Sequence, residues 1–410
     1  MGARLGMVTD SERARGQPAG ARVISVADTS PAAKGGLLAG DVITRVGGDS
    51  VADVPATLAA IRALKPGVAA PVTVRRGGRA VVVSLAPAEW PRESAPDFDV
   101  WYTQVSAPGG RRRVIVTHPR DATRQPAILF VGGLGCYSID APWGPDGYRD
   151  LLYHFTRRGY ATVRVEKSGV GDSEGAPCPT VDFENELAGY AAALRALRTY
   201  PFVDPARVFI LGHSIGGIAG PALVDRDSSA VPIRGIAVIS TVGIAWYEYE
   251  LNNLRRQLVL GGLAPDSVEQ VMALKERCGY RLLVARERAD SIAASDPICK
   301  TYVTYPVSDR YLQQVAALNI GALWRGVRAR VLVVYPASDF ITSRDEHHQL
   351  VSEINAMHPG MATYAEVPEV DHYLAEEPSV EASFRDTIPW FRRGYSTRIE
   401  PVLDAWFAQF

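Results

Sequence analysis

One pentapeptide constrains the fold of this chain more than any other segment: Gly212-His213-Ser214-Ile215-Gly216. It follows an apolar run at residues 208–211 and precedes a helix-forming run at residues 218–224. Small residues on both sides of a serine allow the backbones of a strand and a helix to approach closely around a tight turn. The segment therefore predicts a strand, a sharp turn and a helix, with Ser214 on the turn as a candidate nucleophile. A purely structural serine is the alternative.

Apolar runs with the length of strands recur through the rest of the chain. They lie at residues 127–131, 161–165, 208–211, 235–240, 331–335 and 363–367. Because their apolar residues are continuous rather than alternating, these runs are typical of a parallel sheet covered on both faces. Residues 187–197 carry an apolar stripe at helical spacing, as a crossover helix does. Together with a predicted hairpin over residues 99–117, the runs predict an α/β fold with a doubly wound, mostly parallel sheet.

A long segment without strand-like runs interrupts the alternation of predicted strands and helices. Residues 244–326 are rich in Leu, Arg, Tyr and Glu and lack strand-like runs. We expect a mostly helical cap there, inserted after the sixth strand of a domain that spans residues 99–410. Such a cap would cover the sheet edge at which a substrate binds.

Residues 1–90 form a predicted second domain, smaller and rich in β-strands. Short β-branched runs alternate there with Gly and Pro around one amphipathic helix at residues 54–64. The domain resembles the PDZ domains of the bacterial high-temperature-requirement proteases. The resemblance rests on Ser30-Pro31-Ala32-Ala33, Gly36-Leu37, Gly40-Asp41-Val42-Ile43 and Gly47-Gly48. Prolines between residues 87 and 96 indicate a linker, which we set at residues 91–98.

The PDZ resemblance implies a partner for the small domain. In such domains a peptide carboxyl terminus adds a strand to a sheet edge, and backbone N–H groups of a loop hold its carboxylate. Leu5-Gly6-Met7 resembles that loop, close to the start of the chain. The expected partner is therefore a peptide carboxyl terminus. The alternative is a domain that only packs against the catalytic one.

Residues 97–410 resemble the α/β-hydrolases, in particular carboxylesterases and serine peptidases with a helical cap. In that superfamily the nucleophile, the acid and the histidine follow one another along the chain. Asp339 comes just after the late strand at residues 331–335 and is the acid that this order implies. Its alternative role is to cap the amino terminus of a following helix.

The histidine that this order implies is His372, which alone follows the last predicted strand. The resemblance therefore implies that Ser214 attacks, His372 acts as base and Asp339 orients the imidazole. Asp371 competes as the acid, although adjacent residues of an extended loop point apart.

Three other histidines have positions that suggest structural roles. His213 flanks the nucleophile, where we expect its side chain to shape the turn. His347 and His348 lie within a helical pattern, and we expect both on the exposed surface.

Stabilising an oxyanion takes two backbone N–H groups. The resemblance implies that one belongs to Ile215, the residue after the nucleophile. It implies that the other belongs to Leu134, in the turn Val131–Cys136, where glycines stand in place of the His-Gly pair of many lipases.

The segment Glu166–Ser173 resembles the D-x-R-G-x-G-x-S turn of the superfamily, with Glu in place of Asp and Lys in place of Arg. A phosphate-binding loop is excluded because the lysine precedes the glycines and Walker spacing is absent. We expect the turn to support the site, with Glu166 and Lys167 as candidate supporting residues.

Composition excludes several classes of partner. With 44 basic and 45 acidic side chains, the chain lacks the excess of positive charge that is typical of nucleic-acid-binding proteins. No apolar run approaches the length of a transmembrane segment, and the first residues lack the apolar core of a signal peptide. As given, the sequence predicts a soluble, cytoplasmic protein, or a periplasmic or secreted one if a signal peptide has been removed, and it leaves the location unknown. No cofactor and no metal are expected.

The four cysteines leave the compartment open. They lack the spacing of a zinc site. Cys136 with Cys178 and Cys278 with Cys299 would form disulfides in an oxidising compartment, and four reduced thiols are an equal alternative.

These features favour hydrolysis of a carboxylic ester or thioester of a small acyl substrate through an acyl-enzyme. A serine peptidase whose PDZ domain captures peptide termini is a second hypothesis, and an acyltransferase with an acceptor other than water is a third. A binding protein on an inactive hydrolase frame is the fourth.

Overall fold

The computed structural model describes residues 7–10, 20–89, 92–120, 123–142, 145–227, 229–389 and 393–410. The chain divides into two compact units, Met1–Arg92 and Glu93–Phe410. Within the described residues, no helix combines the length and the apolar character needed to cross a bilayer.

The amino-terminal unit is a small antiparallel sheet with two helices. Its strands and helices are β1 (Met7–Asp10), β2 (Ala21–Val26), α1 (Pro31–Lys34), β3 (Val42–Val46), β4 (Asp49–Ser50), α2 (Val54–Ala63), β5 (Ala70–Arg76) and β6 (Arg79–Leu85). The strand order is β1-β2-β3-β5-β6, with β4 paired to β3. Alternate residues of the strands, such as Val72 and Val74, are fully buried in its core. The structure confirms a small β-rich domain; Leu5 and Gly6 of the predicted carboxylate-binding loop lie outside the described residues.

The larger unit is built on an eight-stranded sheet. Its strands are β7 (Phe98–Ala107), β8 (Gly110–Pro119), β9 (Gln125–Val131), β10 (Ala161–Val165), β11 (Val203–His213), β12 (Gly235–Ile239), β13 (Arg330–Pro336) and β14 (Ala362–Val367). The order is β14-β13-β12-β11-β9-β10-β8-β7. Strands β7 and β8 form an antiparallel hairpin, β8 pairs antiparallel with β10, and the remaining pairs are parallel. The predicted α/β class with a mostly parallel sheet is confirmed.

Helices cover both faces of this sheet. Those that follow or precede its strands are α3 (Gly147–Arg157), α4 (Phe183–Leu197), α5 (Gly216–Asp225), α12 (Arg344–Met357), α13 (Val380–Arg385) and α14 (Glu400–Phe407). Because side chains alternate across a strand, Leu129 of β9 packs with α4 and α5 on one face. Its neighbour Phe130 packs with α3 and α14 on the other. This double burial explains why the strands have continuous apolar runs.

The chain between β12 and β13 is helical. Its helices are α6 (Trp246–Leu260), α7 (Pro265–Gly279), α8 (Ala289–Ser295), α9 (Lys300–Val303), α10 (Asp309–Ala316) and α11 (Ile320–Gly326), with a π-helical turn at Tyr280–Val284. We call this segment the helical insertion. Buried side chains such as Trp324 and Tyr311 join its core to that of the sheet.

Candidate active site

Ser214 lies on the turn between β11 and α5 with a backbone φ of 55°. This left-handed conformation is strained for a residue with a side chain and costs about 1–3 kcal/mol. The flanking glycines are required by packing. A Cβ on Gly212 would lie 2.6 Å from the carbonyl oxygen of Gly216, and one on Gly216 would lie 2.1 Å from that of Val131. The sequence thus folds into a bend that presents the half-buried Ser214 at the carboxyl end of the sheet.

His372 and Asp339 lie together in the loops that follow β14 and β13. Nδ1 of His372 is 2.9 Å from Oδ2 of Asp339, and both side chains are buried. Oδ1 of Asp339 accepts hydrogen bonds from the N–H groups of Ile341 (2.7 Å) and Thr342 (2.9 Å), and Oδ2 accepts one from the Thr342 hydroxyl (2.6 Å). Burial opposes ionisation of Asp339, but the His372 imidazole and the Thr342 donors hold its pKa below the usual range. An ionised Asp339 therefore fixes a proton on Nδ1 of His372 and leaves Nε2 as the basic nitrogen.

Asp371, the competing acid, has other partners. Its Oδ1 accepts hydrogen bonds from the N–H groups of Tyr373 (2.8 Å) and Ala375 (2.9 Å), and its Oδ2 is 2.6 Å from the guanidinium of Arg393. These contacts hold the shape of the loop that carries His372.

A hydrogen-bond relay joins His372 to the residue before Ser214. Nε2 of His213 is 2.8 Å from the carbonyl oxygen of His372, and Nδ1 of His213 is 2.6 Å from the Tyr148 hydroxyl on α3. Since a carbonyl only accepts, Nε2 of His213 carries the proton and Tyr148 donates to Nδ1. Burial and the neighbouring His372 lower the pKa of His213 to about 3, so its imidazole is neutral. The relay holds the His372 loop against the Ser214 turn.

His347 is buried, and its predicted place on the exposed surface is wrong; His348 is exposed. The first turn of α12 packs against the end of β12, where the Thr241 N–H donates to Nε2 of His347 at 3.0 Å. Nδ1 of His347 lies 2.7 Å from the carbonyl oxygen of Ser343, to which it donates. Burial lowers the pKa of His347 to about 4. Thr241 in turn fits against Gly217, where a Cβ would lie 1.6 Å from its hydroxyl.

The turn after β9 faces the same edge of the sheet. Leu134 is half-buried within it, whereas Ile215 is buried at the start of α5. Within the part of the chain that the structure describes, the N–H groups of Leu134 and Ile215 have no hydrogen-bond acceptor. These two unsatisfied donors lie in the turns that follow β9 and β11, and such a pair of N–H groups is suited to hold an anionic oxygen.

The turn at Glu166–Ser173 lies behind the turn after β9. Nζ of Lys167 is 2.8 Å from the carbonyl oxygen of Gly133 and 3.1 Å from Oε2 of Glu186. Glu166 is buried, and it accepts hydrogen bonds from the Ser138 hydroxyl and, at 3.3 Å, from the Ile139 N–H. Both candidate supporting residues therefore contact segments that flank the site.

Burial raises the pKa of Glu166 to about 7. Because the folded-state pKa is above the ordinary value of 4.5, stability is lost as the pH rises from about 4.5 to about 7 and stays at the lower level above that. We expect Glu166→Gln to exceed the wild type in stability by about 2 kcal/mol at pH 6 and by about 3 kcal/mol at pH 9. The Gln amide can donate to the Ser138 oxygen while its carbonyl accepts from Ile139. Urea unfolding at both pH values measures the difference.

Glu174→Gln is the matched control for this prediction. Glu174 is partly exposed, and the Arg111 guanidinium lowers its pKa to about 2. Glu174 is therefore ionised in the folded and the unfolded chain throughout pH 6–9. A pH-independent effect of Glu166→Gln, like that expected of Glu174→Gln, would contradict a neutral buried Glu166.

Both cysteine pairs are bonded in the structure. Cys136–Cys178 closes a loop with a sequence separation of 42, and Cys278–Cys299 closes one of 21 within the helical insertion. The first disulfide is anchored two residues after Leu134. Among the described residues, no group of three or more His, Cys, Asp or Glu side chains is arranged to hold a metal ion.

A cleft of about 690 Å³ lies beside the loop that carries Asp339. Its walls come from α6, the loop after β13 and the start of α12, and they include Glu248, Arg256, Phe340 and Arg344. Its volume suits a small molecule, and its lining combines apolar and charged side chains.

Two family profiles match the chain. The PDZ domain profile matches residues 1–86, and the profile described as serine aminopeptidase, S33, matches residues 145–379, more than half of the chain.

Relatives and solved structures match in part. Esterase EstD of Thermotoga maritima is 24% identical over 37% of this chain and 40% of its own length. The quorum-quenching protein AidA of Acinetobacter baumannii is 38% identical over 31% of this chain and 45% of its own length. The chain thus spans less than half the length of these relatives. The structure of Est1E from Butyrivibrio proteoclasticus with bound ferulic acid aligns with 13% identity and a TM-score of 0.44, over 66% of this chain and 90% of that one. On the profile match over residues 145–379, this chain, with a PDZ domain at its amino terminus, belongs to the serine aminopeptidase S33 family of α/β-hydrolases.

Proposed function

We propose that the chain is a serine hydrolase that cleaves a carboxylic ester or thioester, with Ser214 as nucleophile, His372 as base and Asp339 as the orienting acid. The observation that carries the proposal is the pair of contacts made by His372. Its Nδ1 is hydrogen-bonded to a buried carboxylate, and its carbonyl oxygen is hydrogen-bonded to His213, which precedes Ser214. Family membership and the name of the esterase relative support the same class of reaction.

The proposed reaction has two halves. As Oγ of Ser214 attacks the carbonyl carbon, Nε2 of His372 takes the hydroxyl proton, and the N–H groups of Leu134 and Ile215 stabilise the anionic oxygen. Collapse breaks the bond to the leaving alcohol or thiol, which receives the proton from His372, and the acyl group remains on Ser214. Water then attacks the acyl carbon while His372 takes its proton, the bond from that carbon to Oγ of Ser214 breaks, Oγ recovers the proton from His372, and the carboxylic acid is released.

Peptide hydrolysis is the second candidate, because the matching family is described as a serine aminopeptidase and the chain carries a PDZ domain. A panel of p-nitrophenyl esters, a thioester and aminoacyl p-nitroanilides separates the candidates. We expect kcat/KM to be highest for the esters. Faster cleavage of aminoacyl p-nitroanilides than of esters, lost on acetylation of the substrate amine, would instead support an aminopeptidase.

For the PDZ domain we propose binding of a peptide carboxyl terminus. Strand β1 is at the edge of its sheet, which is the position at which a bound peptide adds a strand in domains of this kind. Met7, the last residue of the predicted carboxylate-binding loop, begins β1.

The disulfide near Leu134 gives a prediction about both stability and rate. Cys136→Ala/Cys178→Ala should lower the free energy of unfolding by about 4 kcal/mol in the chain-entropy model. It should also lower kcat roughly tenfold, because the turn that carries Leu134 loses an anchor and small misplacements near reacting atoms are costly. Urea unfolding and ester hydrolysis measure the two effects.

Cys278→Ala/Cys299→Ala is the matched variant for the second disulfide. It should lower stability by about 3 kcal/mol while kcat stays within about twofold of the wild type. Equal losses of kcat in the two double variants would show that the first disulfide has no special link to the site.

A further inference from the structure

Lys167 is buried against the turn that carries Leu134. Its side chain is 6% exposed and that of Glu186, on α4, is 4% exposed. An ammonium group buried to this degree needs partners in place of water, and Nζ has the Gly133 carbonyl and the Glu186 carboxylate. Removing Lys167 would therefore release Gly133 from its contact with a fixed charge.

The contact at Gly133 determines the direction of the next N–H group. Gly133 and Leu134 share one peptide unit, in which a planar trans geometry points the carbonyl and the N–H in opposite directions. The described chain contains no cis peptide bond. With the Gly133 oxygen held at 2.8 Å from Lys167, the Leu134 N–H faces away from Lys167, and it has no acceptor in the described chain.

Glu186 is itself held from the helical insertion. Its Oε1 accepts a hydrogen bond of 3.2 Å from the hydroxyl of Tyr311, which is buried on α10. The chain of contacts thus runs from Tyr311 through Glu186 and Lys167 to Gly133, with each link a polar contact between buried groups.

We propose that Lys167, paired with Glu186, is a positioning residue that aims the Leu134 N–H at the oxyanion of the acyl-transfer reaction. The proposal rests on the proposed function of the same site. It assigns to Lys167 no contact with the substrate. Its effect on the reaction passes through a single peptide unit.

A second Lys–Glu–Tyr cluster, in which Lys275 is buried and its partners are partly buried, provides a matched control. Nζ of Lys275 lies 2.7 Å from Oε2 of Glu250 and 2.7 Å from the Tyr305 hydroxyl, within the helical insertion. Lys275 has no hydrogen bond to the turn after β9 in the described chain. Removing either pair tests the cost of losing a buried ion pair, and only the first pair contacts the oxyanion turn.

The experiment compares Lys167→Met/Glu186→Gln with Lys275→Met/Glu250→Gln in the full chain. Rates are measured per active site titrated with a fluorophosphonate, and affinity is measured for a trifluoromethyl ketone, which forms an oxyanion when bound. We expect the first variant to lose about 100-fold in kcat and a similar factor in ketone affinity, with KM within about threefold. The second variant should lose stability only, and Lys167→Arg, which keeps a cationic donor, should recover kcat to within about fivefold.

A kcat within twofold of the wild type for the first variant, or equal losses in both double variants, would overturn the proposal. If the first variant does not fold, Tyr311→Phe is the variant that tests the proposal. It removes one hydrogen bond to Glu186 and should lower kcat two- to fivefold at unchanged KM. An unchanged kcat would overturn the proposal. Wild-type turnover that requires Ser214 establishes the proposed function separately, so failure of one proposal is distinguishable from failure of the other.

Discussion

Replacing Ser214 with alanine should lower kcat for a p-nitrophenyl ester by roughly 10⁴- to 10⁶-fold, with little change in KM. The alanine removes the atom that attacks the carbonyl carbon, whereas the N–H groups of Leu134 and Ile215 and the substrate contacts persist. Steady-state kinetics on the purified variant, with circular dichroism to verify folding, measure the loss.

Ser240→Ala is the matched control for Ser214→Ala. Ser240 follows the neighbouring strand β12, is fully buried and also has a left-handed φ, of 53°. Its hydroxyl has no hydrogen-bond partner in the described chain. We expect the kcat of Ser240→Ala to lie within about threefold of the wild-type value, because the substitution removes a hydroxyl that makes no hydrogen bond in the described chain. Retention of turnover by Ser214→Ala would show that Ser214 is not the nucleophile.

The second large effect is expected at Asp339. In Asp339→Asn, the oxygen must remain where the N–H groups of Ile341 and Thr342 donate, so the amide NH₂ faces His372. Nδ1 of His372 then has to accept, its proton moves to Nε2, and Nε2 no longer serves as a base. We expect a loss of about 10⁴-fold in kcat at unchanged KM, measured with the same ester.

Asp371→Asn tests the competing acid. Asp371 is buried and paired with Arg393 at 2.6 Å, so its replacement should lower the urea midpoint of unfolding. Its kcat per titrated site should fall far less than that of Asp339→Asn. If Asp371→Asn instead loses as much as Asp339→Asn, the carboxylates have exchanged roles.

The fold class could be predicted because its signals are local. A strand buried on both faces needs a continuous apolar run, and such runs mark β9 to β13 in the sequence, whereas the edge strand β14 is only partly buried. The bend at Ser214 is equally local, since the glycines that it needs lie within the same five residues.

The contacts that support the site could not be predicted, because they join residues far apart along the chain. Tyr148 meets His213 across 65 residues, and His213 meets His372 across 159. Nothing in the sequence around Glu186 distinguishes it from an exposed acidic residue at the start of a helix. The prediction that His347 is exposed was wrong for the same reason. Helical periodicity identifies one face of a helix, but it does not identify the strand end against which that face packs.

The central claim is that Ser214 is activated by His372 and becomes covalently acylated. The most direct measurement is intact-mass analysis of the wild-type chain and of His372→Ala after treatment with a fluorophosphonate, followed by peptide mapping. The account predicts one adduct per wild-type chain, on the peptide that contains Ser214, and a rate of labelling for His372→Ala lower by roughly 10³-fold or more. An adduct on another residue, or an active wild-type enzyme that takes up no label, would contradict it.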